Sequence, residues 1–196
     1  MTRRWILQLG AVLAAGAVVL TGCSEKQEAS HTLPTSSAAE TTQALPPVGP
    51  AAFPVPAEAR EKTPEGALAF GKYYIALGTE IGKGNAPSQA LLDLSTPECR
   101  LCNQVAKSFS DDQAAGYKQV GGSYTFKEYG PGFMSEGGNV AEIGFDYTQG
   151  AYSVVDANGQ DVPARAGRET GLLRSGMRLE WRDDLHSWLV ANLTIG

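Results

Sequence analysis

The sequence predicts an α+β domain of about three N-terminal helices packed on an antiparallel sheet of four to six strands. Two observations carry this reading. Between Thr63 and about Tyr117, apolar residues recur at spacings of three and four, the repeat of one helix face. From Gly121 onward they recur at every second residue, between turn-forming segments, the repeat of hairpin-linked strands. Helices first and strands after place the helices against one face of the sheet.

Thr63-Pro64-Glu65 reads as the first helix start: Thr caps, Pro takes the first helical position, and Glu sits in the positive first turn. Ala67, Phe70, Tyr74, Leu77 and Ile81 form one stripe, and Gly82-Lys83-Gly84-Asn85 ends it. Ser88 is expected to cap a short helix through Leu94. Thr96-Pro97-Glu98 repeats the cap logic for a third helix burying Leu101, Val105 and Phe109. Ser110-Asp111-Asp112-Gln113 reads as a capping box for one more turn to about Tyr117.

Tyr124 and Phe126 then alternate with Thr125 and Lys127, and Ile143, Phe145 and Tyr147 alternate with Glu142, Gly144 and Asp146. Tyr152 to Val155 and Val162 flank Asn158-Gly159, a strong hairpin dipeptide. Arg165 to Ser175 reads as a loop or a bulged strand start. Met177, Leu179 and Trp181 precede the turn Asp183 to His186. Trp188 and Val190 open the last strand, which ends near Ile195.

The N-terminal part reads differently. Met1 to Cys23 has the three parts of a secretory signal: Arg3 and Arg4, an apolar run from Ile6 to Leu20, then Leu20-Thr21-Gly22-Cys23. That tetrad resembles the lipobox of bacterial lipoproteins. The small pair fits a peptidase cleft, and the Cys23 thiol accepts a diacylglyceryl group. Cleavage after residue 22 then leaves acylated Cys23 as the mature N-terminus, and two acyl chains suffice for stable anchoring. The competing reading is an uncleaved span, which is short, rich in Gly and Ala, and lacks stop-transfer charges. Thr2-Arg3-Arg4-Trp5-Ile6-Leu7-Gln8 loosely resembles a twin-arginine export signal, with Ile6 and Gln8 in place of the usual Phe and Lys.

Without residues 1–22, the 16 Lys+Arg fall to 14 through loss of Arg3 and Arg4, against 21 Asp+Glu, a formal net of −7. This argues against nucleic acid as a partner and against electrostatic docking on a membrane. The membrane contact is expected through lipid on Cys23, at the outer face of the cell membrane. Residues 23–62 are expected to be the acylated Cys and a disordered tether, because Ser, Thr, Ala, Pro, Glu and Gln dominate and Phe53 is the only aromatic. Pro46, Pro47, Pro50, Pro54 and Pro56 favour extended conformations there, with a mean reach of roughly 30 Å and a full extension of roughly 100 Å. Ser and Thr beside the prolines permit O-glycosylation. The expected single folded domain is residues 63–196, long enough for a core of its own.

The string Thr63-Pro64-Glu65-Gly66-Ala67, Phe70, Tyr73-Tyr74, then Leu94-Ser95-Thr96-Pro97-Glu98-Cys99-Arg100-Leu101-Cys102, then Gly121-Gly122, resembles the domain of unknown function 6318 family of bacterial lipoproteins. Its most specific piece is Ser-x-Pro-x-Cys-x-x-Cys. That resemblance implies the lipobox and the Pro/Ser/Thr tether but no established activity. Three helices leading into a sheet that ends in a Trp181–Trp188 hairpin also resembles the nuclear transport factor 2-like (cystatin-like) cone, which implies a curved sheet. The cone houses enzymes and bare binding modules alike.

Cys99 and Cys102 are the two thiols left once Cys23 carries lipid, and outside the cell disulfides persist. They read as a local staple. The alternative is a redox dithiol, whose first Cys a helix N-terminus would activate. Its expected context, after a strand in a βαβ unit, is missing. Zinc needs four ligands and finds no second Cys pair, so no metal or other cofactor is expected.

His31 lies in the tether. His186 sits beside Asp183 and Asp184 in a turn, where charged side chains are usually solvated. Glu128, Glu142, Asp146 and Glu180 alternate with apolar residues and are expected to face outward. Gly130-Pro131-Gly132 and Gly137-Gly138 lack the Lys-Ser/Thr of a phosphate loop. Tyr124, Phe126, Phe145, Tyr147, Trp181 and Trp188 either line a pocket for an apolar ligand or fill it as core, and core is the expectation.

Three functions follow as expectations. The first is a lipid-anchored, non-catalytic envelope domain meeting another envelope protein or a cell-wall component. The second is a module binding a small apolar ligand in the cone. The third is an extracytoplasmic thiol–disulfide protein using Cys99 and Cys102.

Overall fold

The computed structural model describes residues 45–196. The signal segment, Cys23, His31 and the first part of the tether lie outside the described residues. Among those described, no helix is long and apolar enough to cross a membrane.

Helix α1 spans Pro64–Gly82 and starts as its sequence dictates. The Thr63 hydroxyl accepts from the Gly66 amide at 3.0 Å, and Pro64 occupies a position where no N–H is needed. Its stripe of Ala67, Phe70, Tyr74, Leu77 and Ile81 is buried, with Tyr73 beside it. Helix α2 is Gln89–Asp93, but Ser88 makes no cap. Instead Gln113 bridges the loop ahead of it: its Oε1 accepts from the Ser88 amide at 3.0 Å, and its Nε2 donates to the Ala86 carbonyl at 2.8 Å.

Helix α3 is Arg100–Ala114 and runs unbroken through Ser110–Gln113. The expected extra capped turn is therefore absent, because Gln113 is engaged with the α2 loop rather than with a helix start. The buried face of α3 also differs from expectation. Cys102 and Ala106 are buried, whereas Leu101, Val105 and Phe109 are only partly so. One residue turns a helix face by about 100°, so the predicted stripe points beside the core rather than into it.

Five strands form the antiparallel sheet in the order β2-β4-β6-β7, with β3 on β4. They are β2 Tyr124–Glu128, β3 Phe133–Met134, β4 Val140–Gln149, β6 Leu173–Arg182 and β7 Ser187–Thr194. The register opposes Phe126 to Tyr147, Ile143 to Met177 and Trp181 to Trp188. A bulge between Arg178 and Leu179 breaks the β6–β7 ladder and bends the pair. Three helices packed on an antiparallel sheet is the predicted α+β class. The outer edge of β7 is covered, since Leu94 to Thr96 lies alongside it and exchanges backbone hydrogen bonds of 2.9 Å with Val190.

Two features of the strands were not foreseen. Strand β1, Lys118–Gly121, pairs with β5, Tyr152–Val155, as a separate two-stranded ribbon. The expected turn at Asn158-Gly159 is present, with Gly159 at φ 78° and the Asp156 carboxylate accepting from the Asn158 and Gln160 amides. Its return arm is short, however. Val162 makes a single backbone bond to Val154, and a one-turn 3-10 helix, Pro163–Arg165, follows.

The segment before Thr63 corrects the predicted boundary. Residues 45–62 are not a free tether. Val48, Val55 and Ala59 are buried, and Phe53 stacks on Tyr73 with ring centres 5.2 Å apart. The Tyr73 hydroxyl donates to the Phe53 carbonyl at 2.8 Å. A 3-10 turn, Ala57–Arg60, leads into α1. There the Arg60 guanidinium donates to the Leu185 and His186 carbonyls at 2.7 and 3.1 Å. Composition concealed this, because a few spaced apolar side chains and a row of backbone carbonyls suffice to hold a proline-rich strap. Gly66 allows the close approach: a Cβ there would stand 2.2 Å from the Glu61 carbonyl oxygen.

Candidate functional site

A partly open cavity of about 540 Å³ lies between α1, α3 and the ends of β4 and β7. Its apolar wall is the α3 face that misses the core, Leu101, Val105 and Phe109, joined by Ile75 of α1 and by Leu193 and Ile195. Gly78 of α1 also lines it, and a Cβ built there would meet only Phe109, at 3.9 Å. Tyr147 enters from the inward side of β4, where it continues the buried Ile143 and Phe145. Tyr152 enters from β5. The volume falls within the range of small-molecule sites, and so does the mixture of apolar walls with a few polar groups.

The polar part of the lining is mostly uncharged: Thr79, Ser108, Gln119 and Gln149, with the Tyr147 and Tyr152 phenols. Burial raises the Tyr147 phenol above its ordinary range, helped by the neighbouring Tyr124 and Tyr152. Tyr74, at the α1 wall, is pushed up to about 12 by burial, although its hydrogen bond with Ser95 at 2.7 Å works the other way. The Tyr74 and Tyr147 phenols thus hold their protons at physiological pH. The two charged lining residues, Asp112 of α3 and Arg165 of the 3-10 turn, form an ion pair with each other. That pair fastens the 163–172 loop to α3. On its other side the loop is held by two 3.0 Å backbone bonds between Gly167 and Tyr152 and by Thr170 bonding Gln149.

Of the six rings expected to line a pocket or fill the core, only Tyr147 reaches the cavity, with Tyr124 stacked on it at 6.3 Å. Phe145 and Trp188 are fully buried core. Phe126 covers Phe145 at 4.2 Å, and Trp181 meets Trp188 edge-on at 5.1 Å. Leu101, Val105 and Phe109, expected as helix core, form the wall instead, and Arg165, expected in a loop or bulged strand start, lines it too. One signal was available: the Leu101, Val105 and Phe109 stripe turns polar on the same face at Ser108 and Asp112, as a cavity wall reaching solvent would.

The Cys99 and Cys102 sulfurs stand at disulfide distance at the start of α3, and both residues are wholly buried. An exchanging dithiol needs an accessible sulfur, which this pair does not offer. His186 sits exposed in its turn at φ 45°, and its carbonyl accepts from Arg60. Glu128 pairs with Lys72 at 3.2 Å, and Arg178 lies between Glu142 and Glu180. Asp146 accepts from the Tyr129 hydroxyl. These carboxylates sit apart from the cavity lining. Among the described residues, no three His, Cys, Asp or Glu side chains converge as a metal site.

No family model matches the chain, and no curated protein matches it. Several solved structures are similar in backbone. One is the intermembrane-space region of the chloroplast protein ARC6, at TM-score 0.46 and 9% identity over 64% of this chain and 93% of that one. A second is a Catenulispora acidiphila structure in complex with S-DNPA, at TM-score 0.39 and 10% identity over 66% and 92%. A third is a nuclear transport factor 2-like superfamily protein from Salmonella enterica serovar Typhimurium, at TM-score 0.36 and 17% identity over 66% and 92%.

Proposed function

We propose that this chain is a lipid-anchored, extracytoplasmic, non-catalytic binding protein of the domain of unknown function 6318 type, and that its domain holds a small, mainly apolar molecule. The cavity of about 540 Å³ carries the binding part of this reading. The lipobox ending at Cys23 supports the anchor, and the remaining tether spaces the domain from the bilayer. The buried Cys99–Cys102 pair supports a structural staple rather than thiol exchange.

Fluorescence titration of the full mature chain with N-phenyl-1-naphthylamine, a neutral probe that brightens in apolar surroundings, tests the cavity. Saturable binding is expected, with loss in Val105→Trp, whose ring fills the wall. Radioactive palmitate labelling tests the anchor: wild type is labelled and sediments with membranes, and Cys23→Ser does neither. Membrane retention of Cys23→Ser would restore the transmembrane reading.

A second reading has one observation in its favour. Phe133, opposite Glu142, is 73% exposed on the outer face of the sheet, and the exposed Tyr129, just after β2, lays its ring over Gly144 of β4. Such rings suit contact with an envelope protein or a cell-wall component.

A further inference from the structure

Resting on the reading of the cavity as a ligand site, we infer that the site is selective for uncharged ligands. The occupant is an apolar ring or chain bearing a hydroxyl or carbonyl group, with no carboxylate, phosphate or ammonium.

The charge arrangement of the lining carries this. Among the described residues lining the cavity, Arg165 is the one cation and Asp112 the one anion, and they neutralise each other. Their exposures differ: the Asp112 side chain is 16% exposed and that of Arg165 is 40% exposed. An anionic head meeting Arg165 would have to share its guanidinium with Asp112, which already takes one of its N–H groups. That would set a second negative charge beside the largely buried Asp112 carboxylate, with one cation for the two. The overall negative charge of the chain adds to the rejection.

A cationic head on Asp112 would instead release Arg165, and with it the ion pair that fastens the 163–172 loop to α3. A neutral head costs neither. Thr79, Ser108 and Gln149, with the Tyr147 and Tyr152 phenols, offer it donors and acceptors, and these side chains are not bonded to other side chains among the described residues. The ion pair therefore acts as a closure that filters charge, not as the anchor for the ligand.

Displacement of N-phenyl-1-naphthylamine from the full mature chain by three ligands sharing one ring tests this: 1-naphthalenemethanol, 1-naphthoate and 1-naphthylmethylammonium. The alcohol is expected to compete best, with each charged analogue weaker by about tenfold or more. Asp112→Asn frees Arg165 and should bring the naphthoate Kd to or below that of the alcohol. Arg165→Gln should improve the ammonium and leave naphthoate excluded. Melting curves of both variants confirm that they fold. Naphthoate competing as well as the alcohol in wild type would overturn the inference, as would an unchanged naphthoate-to-alcohol ratio in Asp112→Asn. Either result leaves the cavity reading standing if Val105→Trp still abolishes probe binding. Probe binding that survives Val105→Trp would remove the cavity reading and this inference together.

Discussion

The indole Nε1–H of Trp188 donates to the backbone carbonyl of Glu61 across 127 residues of sequence, at 2.9 Å. This bond ties the last hairpin of the sheet to the strap preceding α1, and Arg60 adds two more bonds to the same turn. Trp188→Phe keeps an aromatic ring in place but removes the donor and leaves part of the indole's space unfilled. It should cost about 1–3 kcal/mol, read as a lower midpoint in urea unfolding. Gly66→Ala should cost a similar amount, about 1–3 kcal/mol, because its Cβ would press on the same Glu61 carbonyl. A chain starting at Thr63 should melt well below one starting at Leu45. Equal melting points would mean that the strap is only laid on the surface.

The Cys99–Cys102 pair closes a loop of sequence separation 3, which limits what a cross-link contributes. Replacing both with Ser should lower stability by about 2 kcal/mol by the chain-entropy argument. Binding of the neutral probe should persist in the folded variant. Unchanged melting combined with lost function would return the pair to redox chemistry.

Tyr73 and Tyr74 both have phenols pushed up to about 12 by burial. A pKa higher in the folded than in the unfolded state means the folded chain holds the proton longer. The stabilisation is thus fully present below pH 10, the ordinary value, and is lost as pH rises through about 12. Absorbance near 295 nm should show late-titrating phenols, and stability should fall steeply above pH 10. Replacing Tyr74 by Phe should flatten part of that fall.

Where sequence and structure agree, the residue types act locally. Thr63-Pro64-Glu65 sets the start of α1 through its own hydroxyl and ring, and the period-two runs at Ile143–Tyr147 and Met177–Trp181 specify strands without help from elsewhere. Where they part, a distant partner decides. Leu101, Val105 and Phe109 announce an apolar face, but a stripe does not say whether another element fills the space before it. Val48, Phe53 and Val55 carry no period at all, and they meet the core only once the strap lies back on the domain, where Phe53 stacks on Tyr73. Arg165 gains its role from Asp112, 53 residues earlier, a pairing that no local pattern announces. The six aromatic candidates show the same limit, since alternation identified their inward side but not that Phe145 and Trp188 fill it while Tyr147 borders empty space.

The cavity as a binding site is the central claim, and methyl NMR of the full mature chain tests it most directly. On titration with 1-naphthalenemethanol, the methyl signals of Ile75, Val105 and Leu193 should shift together and saturate at one Kd, while those of Val48, in the strap, stay fixed. Shifts confined to residues near Phe133 on the outer face, or no saturable shift anywhere, would contradict it.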